Sequence, residues 1–189
     1  MSMQRSIARL AWLALFPTCA ALAAGALQPP AVPEAIKAPA GEHLVLVAHA
    51  TGAQVYVCSA AADGKFQWTL KGPDAELHDA KGALIGQHFA GPAWKLKDGS
   101  EVTGKATAHV DAPDPHAVAW LLLSVVSHAG SGALATVTHV QRIHTKGGEA
   151  PPAAQCEATK LNTESRSAYS ADYYFYAPEG DEPPPANPY

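Results

Sequence analysis

Charge and aromatic side chains are both scarce in this chain, and each shortage excludes something. Of its 189 residues only 16% are charged and 7% aromatic. Thirteen Lys+Arg stand against 17 Asp+Glu, a formal net charge of -4, and the basic residues form no cluster. Phosphate neutralisation needs a clustered Lys/Arg surface, so nucleic acid is excluded as a partner. No G-x-S-x-G occurs, which removes the usual serine nucleophile elbow. No C-x-x-C or C-x-x-H occurs among the three cysteines, and neither H-x-H nor H-E-x-x-H among the nine histidines. Zinc or copper on strands or helices normally announces itself by those spacings, so no metal and no other cofactor is expected. No internal repeat is visible. What is abundant is punctuation: 16 Pro and 15 Gly argue against a helical bundle and for many turns. The 48% hydrophobic fraction is inflated by alanine, and the length suits one globular domain with tails.

The first residues read as a targeting segment. Arg5 and Arg9 give a positive start, and Leu10 to Leu22 is an uncharged apolar run interrupted by Pro17. It is shorter than the about 20 residues of a membrane crossing. Ala21-Leu22-Ala23 and Ala24-Gly25-Ala26 both match A-x-A cleavage sites. A signal peptide over residues 1–24 is therefore expected, with a mature start between residues 24 and 27 and a secreted or periplasmic location. Cys19 leaves with the signal, and Cys58 and Cys156 remain. In an oxidising compartment they are expected to pair. Closing a loop of roughly 100 residues stabilises by at most about 4.7 kcal/mol in the chain-entropy model.

The mature chain reads as strands. Residues 25–41 form a Pro-rich extended arm and 178–189 a Pro-rich acidic tail, bracketing one β-rich domain over 42–177. His43 to His49 and Ala53 to Cys58 read as two short runs around Thr51-Gly52. Phe66 to Leu70 follows Asp63-Gly64, and Ala83 to Ala90 follows Lys81-Gly82. Trp94 to Lys97 runs into Asp98-Gly99, a hairpin signal. Glu101 to Val110 alternates, with Val102, Gly104, Ala106, Ala108 and Val110 on one face. Val118 to Val126 and Leu134 to Ile143 are longer apolar runs. In Tyr169 to Tyr176 the residues Tyr169, Ala171, Tyr173 and Phe175 share a face. About eight or nine short strands predict an all-β fold, an antiparallel sandwich or barrel, with one short helix or a covering loop over Pro151 to Ser167.

Candidate chemistry is thin. Gly130-Ser131-Gly132-Ala133-Leu134-Ala135 fits a dinucleotide loop, yet the β-branched Thr136 to Ile143 follows where a helix must receive the pyrophosphate. A Gly-rich turn explains it better. His43 and His49 share a strand face about 20 Å apart, too far for one ion. The acidic loop residues Asp74, Glu76, Asp79, Asp111 and Asp114 read as solvated. The suggestive cluster is His88 to Trp94 with Gly91-Pro92 between them, where an aromatic platform beside a histidine would receive a sugar or small aromatic ligand. The plainer alternative is Trp94 in the core and His88 at a turn. Arg142, inside an apolar strand, either faces solvent or turns inward toward a carboxylate such as Asp172. His88, Trp94 and Arg142 are thus the candidate ligand-binding residues, and no catalytic residue is assigned.

Several motifs occur in order: Gln54 to Cys58, the His88 to Trp94 loop with Asp98-Gly99-Ser100, Trp120 to Leu123, Gln141 to Gly148, Cys156 and Tyr173 to Tyr176. Together they resemble a secreted family known only as domain of unknown function 3455, over roughly residues 42 to 177. The resemblance implies secretion and the domain limits, and no activity or site residue. The expected function is non-enzymatic: an exported binding or surface-associated module, antigenic at the surface, for a small molecule, glycan or envelope partner. A secreted hydrolase or redox enzyme centred on the His88 to Trp94 loop is the alternative.

Overall fold

The computed structural model describes residues 27–180. The expected signal peptide and all but the first residues of the acidic tail lie outside that range. Eight strands follow one another: β1 (Glu42–Ala60), β2 (Phe66–His78), β3 (Leu84–Phe89), β4 (Ala93–Leu96), β5 (Glu101–Val110), β6 (Trp120–Ala129), β7 (His139–Gly147) and β8 (Glu164–Pro178). Each pairs antiparallel with the next, and β8 returns to β1, closing a barrel in simple chain order. Closure leaves no open sheet edge. Among the described residues the only helical pieces are single 3-10 turns at Glu34–Ile36, Ala153–Gln155 and Ala158–Lys160, so the last two form a covering loop where a short helix was an option.

Strand limits differ from the sequence expectation where glycine serves contact rather than turning. Thr51-Gly52 does not divide two runs: β1 continues straight through it. A Cβ on Gly52 would lie 2.3 Å from the Asp74 carbonyl oxygen, so glycine is required there by the close approach of β2. The run Leu134 to Ile143 is likewise not one strand, because residues before His139 form turns and β7 starts there. The Gly130 to Ala135 segment is a turn region, not the start of a helix. Asp98 holds it: its carboxylate accepts from the Ala133 amide at 2.8 Å, and Ser100 Oγ accepts from the Leu134 amide at 3.2 Å. A Cβ on Gly132 would fall 2.4 Å from that carboxylate.

The inner face is mostly apolar, and the outer face is polar except where the N-terminal arm covers it. Exposed Glu76, Lys95 and Lys105 occupy outward positions, where a lipid-facing barrel wall would carry an apolar belt. Among the described residues no helix is long and apolar enough to cross a membrane. Inside, Ala48, Leu77, Leu96, Val102, Val137 and Phe175 pack with Trp94. The five residues expected on one face of β5 do not stay together. A register shift between Ala106 and Ala108 sends Ala108 opposite Leu122, because a bulge inserts one residue and exchanges the faces beyond it. Ala108 and Val110 therefore join an outer cluster with Trp120, Leu122, Ile143 and Tyr174, roofed by Ile36. The N-terminal arm is docked there: Ile36 is fully buried and its carbonyl accepts a bond from Gln141 Nε2. Burying one such side chain is worth roughly 1.5–3 kcal/mol.

The barrel has two unlike ends. The β2–β3, β4–β5 and β6–β7 connections close one. At the other, the β1–β2 hairpin extends past its neighbours and faces the long loop between β7 and β8. Cys58 on that hairpin is joined by a disulfide to Cys156 in the loop, across 98 positions of sequence.

Candidate functional site

At the second end the strands enclose a cavity of about 380 Å³, walled by Leu70, Leu121 and Leu123, with Gln54, His88 and Arg142 as its inner polar groups. The alternation of each strand puts these side chains inside. Gln54 follows Ala48 and Ala50 on the inner face of β1, His88 lies opposite Trp94 on β4, and Arg142 lies between Leu121 and Tyr173. The Gly91–Pro92 peptide, which is cis, forms the rim between His88 and Trp94.

His88 is 2% exposed and starts a hydrogen-bond chain whose direction is fixed by chemistry. Its Nδ1 lies 2.9 Å from the Ala93 carbonyl oxygen, which can only accept, so Nδ1 carries the hydrogen. Nε2 must then accept, and the Tyr173 hydroxyl at 2.8 Å donates to it. Tyr169, 2.7 Å from Tyr173, donates in turn to the Tyr173 oxygen. Burial lowers the His88 pKa to about 3; the Ala93 bond works the other way and the Arg142 charge assists the lowering. Burial pushes Tyr169 up and Tyr173 well up, while the Arg142 guanidinium, interacting with both phenols, holds part of each rise back. All three groups are neutral near pH 7.

Trp94 stands behind this chain rather than in the cavity. It is wholly buried, stacked on His88 with ring centroids 4.7 Å apart and planes 9° apart. Tyr173 and Phe175 meet it edge-on at 5.3 and 6.0 Å. Gly104 makes room: a Cβ there would lie 3.0 Å from the indole. The platform geometry expected of a ligand-stacking tryptophan is absent, and Trp94 serves as a core plug that fixes the His88 ring.

Arg142 turns inward, but not toward Asp172. Its Nε and Nη2 donate to the Ala119 carbonyl oxygen at 3.2 and 2.7 Å. Asp172 lies on the outer face of β8, where His49 and His144 reach its two oxygens at 2.7 and 2.8 Å. Among the described residues no carboxylate pairs with Arg142; Asp74 and Glu164 pair with Arg166 and Lys71. Gln54 is 3% exposed and its Oε1 has no hydrogen-bond partner.

Of the three candidate residues, then, His88 and Arg142 meet in one cavity and Trp94 backs it. Gln54, Tyr169 and Tyr173 escaped notice as site residues. Their signal was available: a glutamine on the inner register of an apolar strand, and two tyrosines on the inner face of the last one, each needing a partner when buried.

Fold and site together define a class: a closed eight-stranded up-and-down β-barrel with a polar-floored cavity at one mouth. Eight strands leave an interior that side chains just fill, or that holds one small ligand. The chain belongs to the family described as protein of unknown function (DUF3455), which matches residues 39–177. No curated protein and no solved structure matches it.

Proposed function

We propose that this is an exported, non-enzymatic binding module that holds a small organic molecule in the mouth of its barrel. The observation that carries the reading is the cavity itself: aliphatic walls with a few convergent polar groups, of ligand size. Catalysis is the weaker reading. General acid–base groups work best with pKa values near the working pH, and here the histidine is driven down to about 3 and the phenols upward. A glycan is also less well served, since the one tryptophan of the site region is buried away from the cavity. Residues 1–24 act as the export signal, 25–41 as the arm, 42–177 as the domain and 178–189 as the tail, in a secreted or periplasmic protein; the Cys58–Cys156 bridge supports an oxidising compartment. Intact mass of the exported protein is expected to place its first residue between 24 and 27.

Ala106, exposed at the rim and part of the cavity lining, offers a plug. A panel of small amphipathic compounds, followed by amide NMR shifts, is expected to give saturable binding to the native protein. Ala106→Trp is expected to abolish it while keeping the melting temperature. Binding indifferent to the plug, or no saturable shift with any compound, overturns the reading.

A further inference from the structure

We infer that the ligand of the barrel mouth is a small amphipathic monocarboxylate, its acid group held by Arg142 and its apolar body laid against Leu70, Leu121 and Leu123. The inference rests on the mouth being a binding site and adds the charge and size of what enters it.

The charge follows from Arg142. A guanidinium drawn into a partly desolvated barrel normally brings an acid with it, because an unpaired charge is costly there. Every element around Arg142 offers a neutral group instead: Gln54 and Tyr56 from β1, His88 from β3, the Ala119 carbonyl before β6, Tyr169 and Tyr173 from β8. Glu149 in the loop after β7, whose charge is felt at Tyr56, is half exposed and lies 3.9 Å from His116. Lys71, the other cation of the lining, is already paired with Glu164. One positive charge therefore remains uncancelled at the floor of the cavity. The Ala119 carbonyl takes two of the five guanidinium N–H donors, and the Tyr169 and Tyr173 hydroxyls engage the group as well. All of these partners are neutral, so the charge itself is left for an anion, and a guanidinium suits a carboxylate.

A second observation points to a ligand independently. Gln54 lines the same cavity, and its buried Oε1 has nothing to accept from. Buried amide oxygens are nearly always satisfied, so a ligand carrying an O–H or N–H donor completes it. The walls exclude a purely inorganic anion as the best fit, since three leucines would face it. The size follows from the volume. About 380 Å³ equals about a dozen water molecules at ~30 Å³ each, and so an acid of about a dozen non-hydrogen atoms.

The test uses 3-(4-hydroxyphenyl)propionate and its neutral isostere 3-(4-hydroxyphenyl)propanamide, which share a phenol O–H donor for Gln54, titrated at pH 7 by calorimetry into the mature protein. The acid is expected to bind about 10- to 100-fold more tightly than the amide, the range that a hydrogen-bonded charge contributes. Arg142→Met is expected to erase that preference and Arg142→Lys to keep part of it, each with native circular dichroism. The native protein's comparison of acid with amide stands alone should Arg142→Met fail to fold. Equal affinities, or an acid preference that survives Arg142→Met, overturn the inference. If the two bind equally and Ala106→Trp blocks both, the mouth is still the binding site and only the assignment of charge falls. If neither binds while another compound of the panel does, only the inference falls; if nothing in the panel binds, both fall.

Discussion

The two ends of this barrel are made of the same eight strands and treat their interiors in opposite ways. At the closed end Leu77, Leu96, Val102, Leu134, Val137 and Phe175 fill the space with aliphatic and aromatic carbon, and the Gly130 to Ala135 turn is tied across it by Asp98 and Ser100. At the mouth the strands keep an empty volume, one arginine with no acid, one glutamine oxygen with no donor, and a 53%-exposed Leu70. One end is packed solid, and the other keeps open space around an uncancelled charge. Trp94 and His88, stacked ring on ring, are the partition between them.

That contrast can be broken most directly at the partition. Trp94→Ala is expected to cost about 3–5 kcal/mol, as deletion of a fully buried aromatic does. Leu121→Ala, half-buried in the cavity wall, is expected to cost about 1 kcal/mol. Urea unfolding of both variants measures the pair, and equal losses would show that the mouth is packed like the closed end.

The disulfide comes next, because it is the mouth's own brace. Changing Cys58 and Cys156 together to Ser is expected to cost about 2–4 kcal/mol. At roughly 2–4 °C per kcal/mol for a chain of this size, the melting temperature drops by several degrees. Thiol titration of the denatured, unreduced native protein is expected to find no free thiol from either residue.

The smallest expected effect is in the response to pH. Unfolded, His88 takes a proton near its ordinary 6.5; folded, it resists until about 3. Between those values the unfolded chain binds more protons, so stability falls as pH falls. The slope is about 1.4 kcal/mol per pH unit at most, or about 2 kcal/mol from pH 6.5 to 5. His88→Gln removes that contribution, so the stability gap between native protein and variant is expected to narrow on acidification. A gap constant with pH would mean that water reaches His88 and that the partition leaks.

Much of the fold was legible because it is local. Asp63-Gly64 and Asp98-Gly99 mark hairpins by their own backbone preferences, and the alternation of Tyr169 to Tyr176 declares its inner face. Closure was not legible: the pairing of Val47 with Tyr174 joins residues more than a hundred positions apart, and a sandwich would satisfy the same alternation. Gly52 misled because its reason is the backbone of another strand, and Ala108 because a bulge exchanges faces without changing composition. His88 and Arg142 could be singled out as polar residues in apolar company. Whether Trp94 met a ligand or a core depended on Gly104, a residue on another strand whose missing Cβ leaves space for the indole.

The one-way order of the Tyr169–Tyr173–His88–Ala93 chain has an electrical meaning. Each hydrogen points on from Tyr169 toward the Ala93 carbonyl, so the dipoles of the chain line up head to tail, and the two phenol oxygens also meet the Arg142 guanidinium. The barrel thus meets the guanidinium with neutral oxygens, one carbonyl and two phenols, rather than with a charge. An anion reaching that guanidinium has no resident carboxylate to displace.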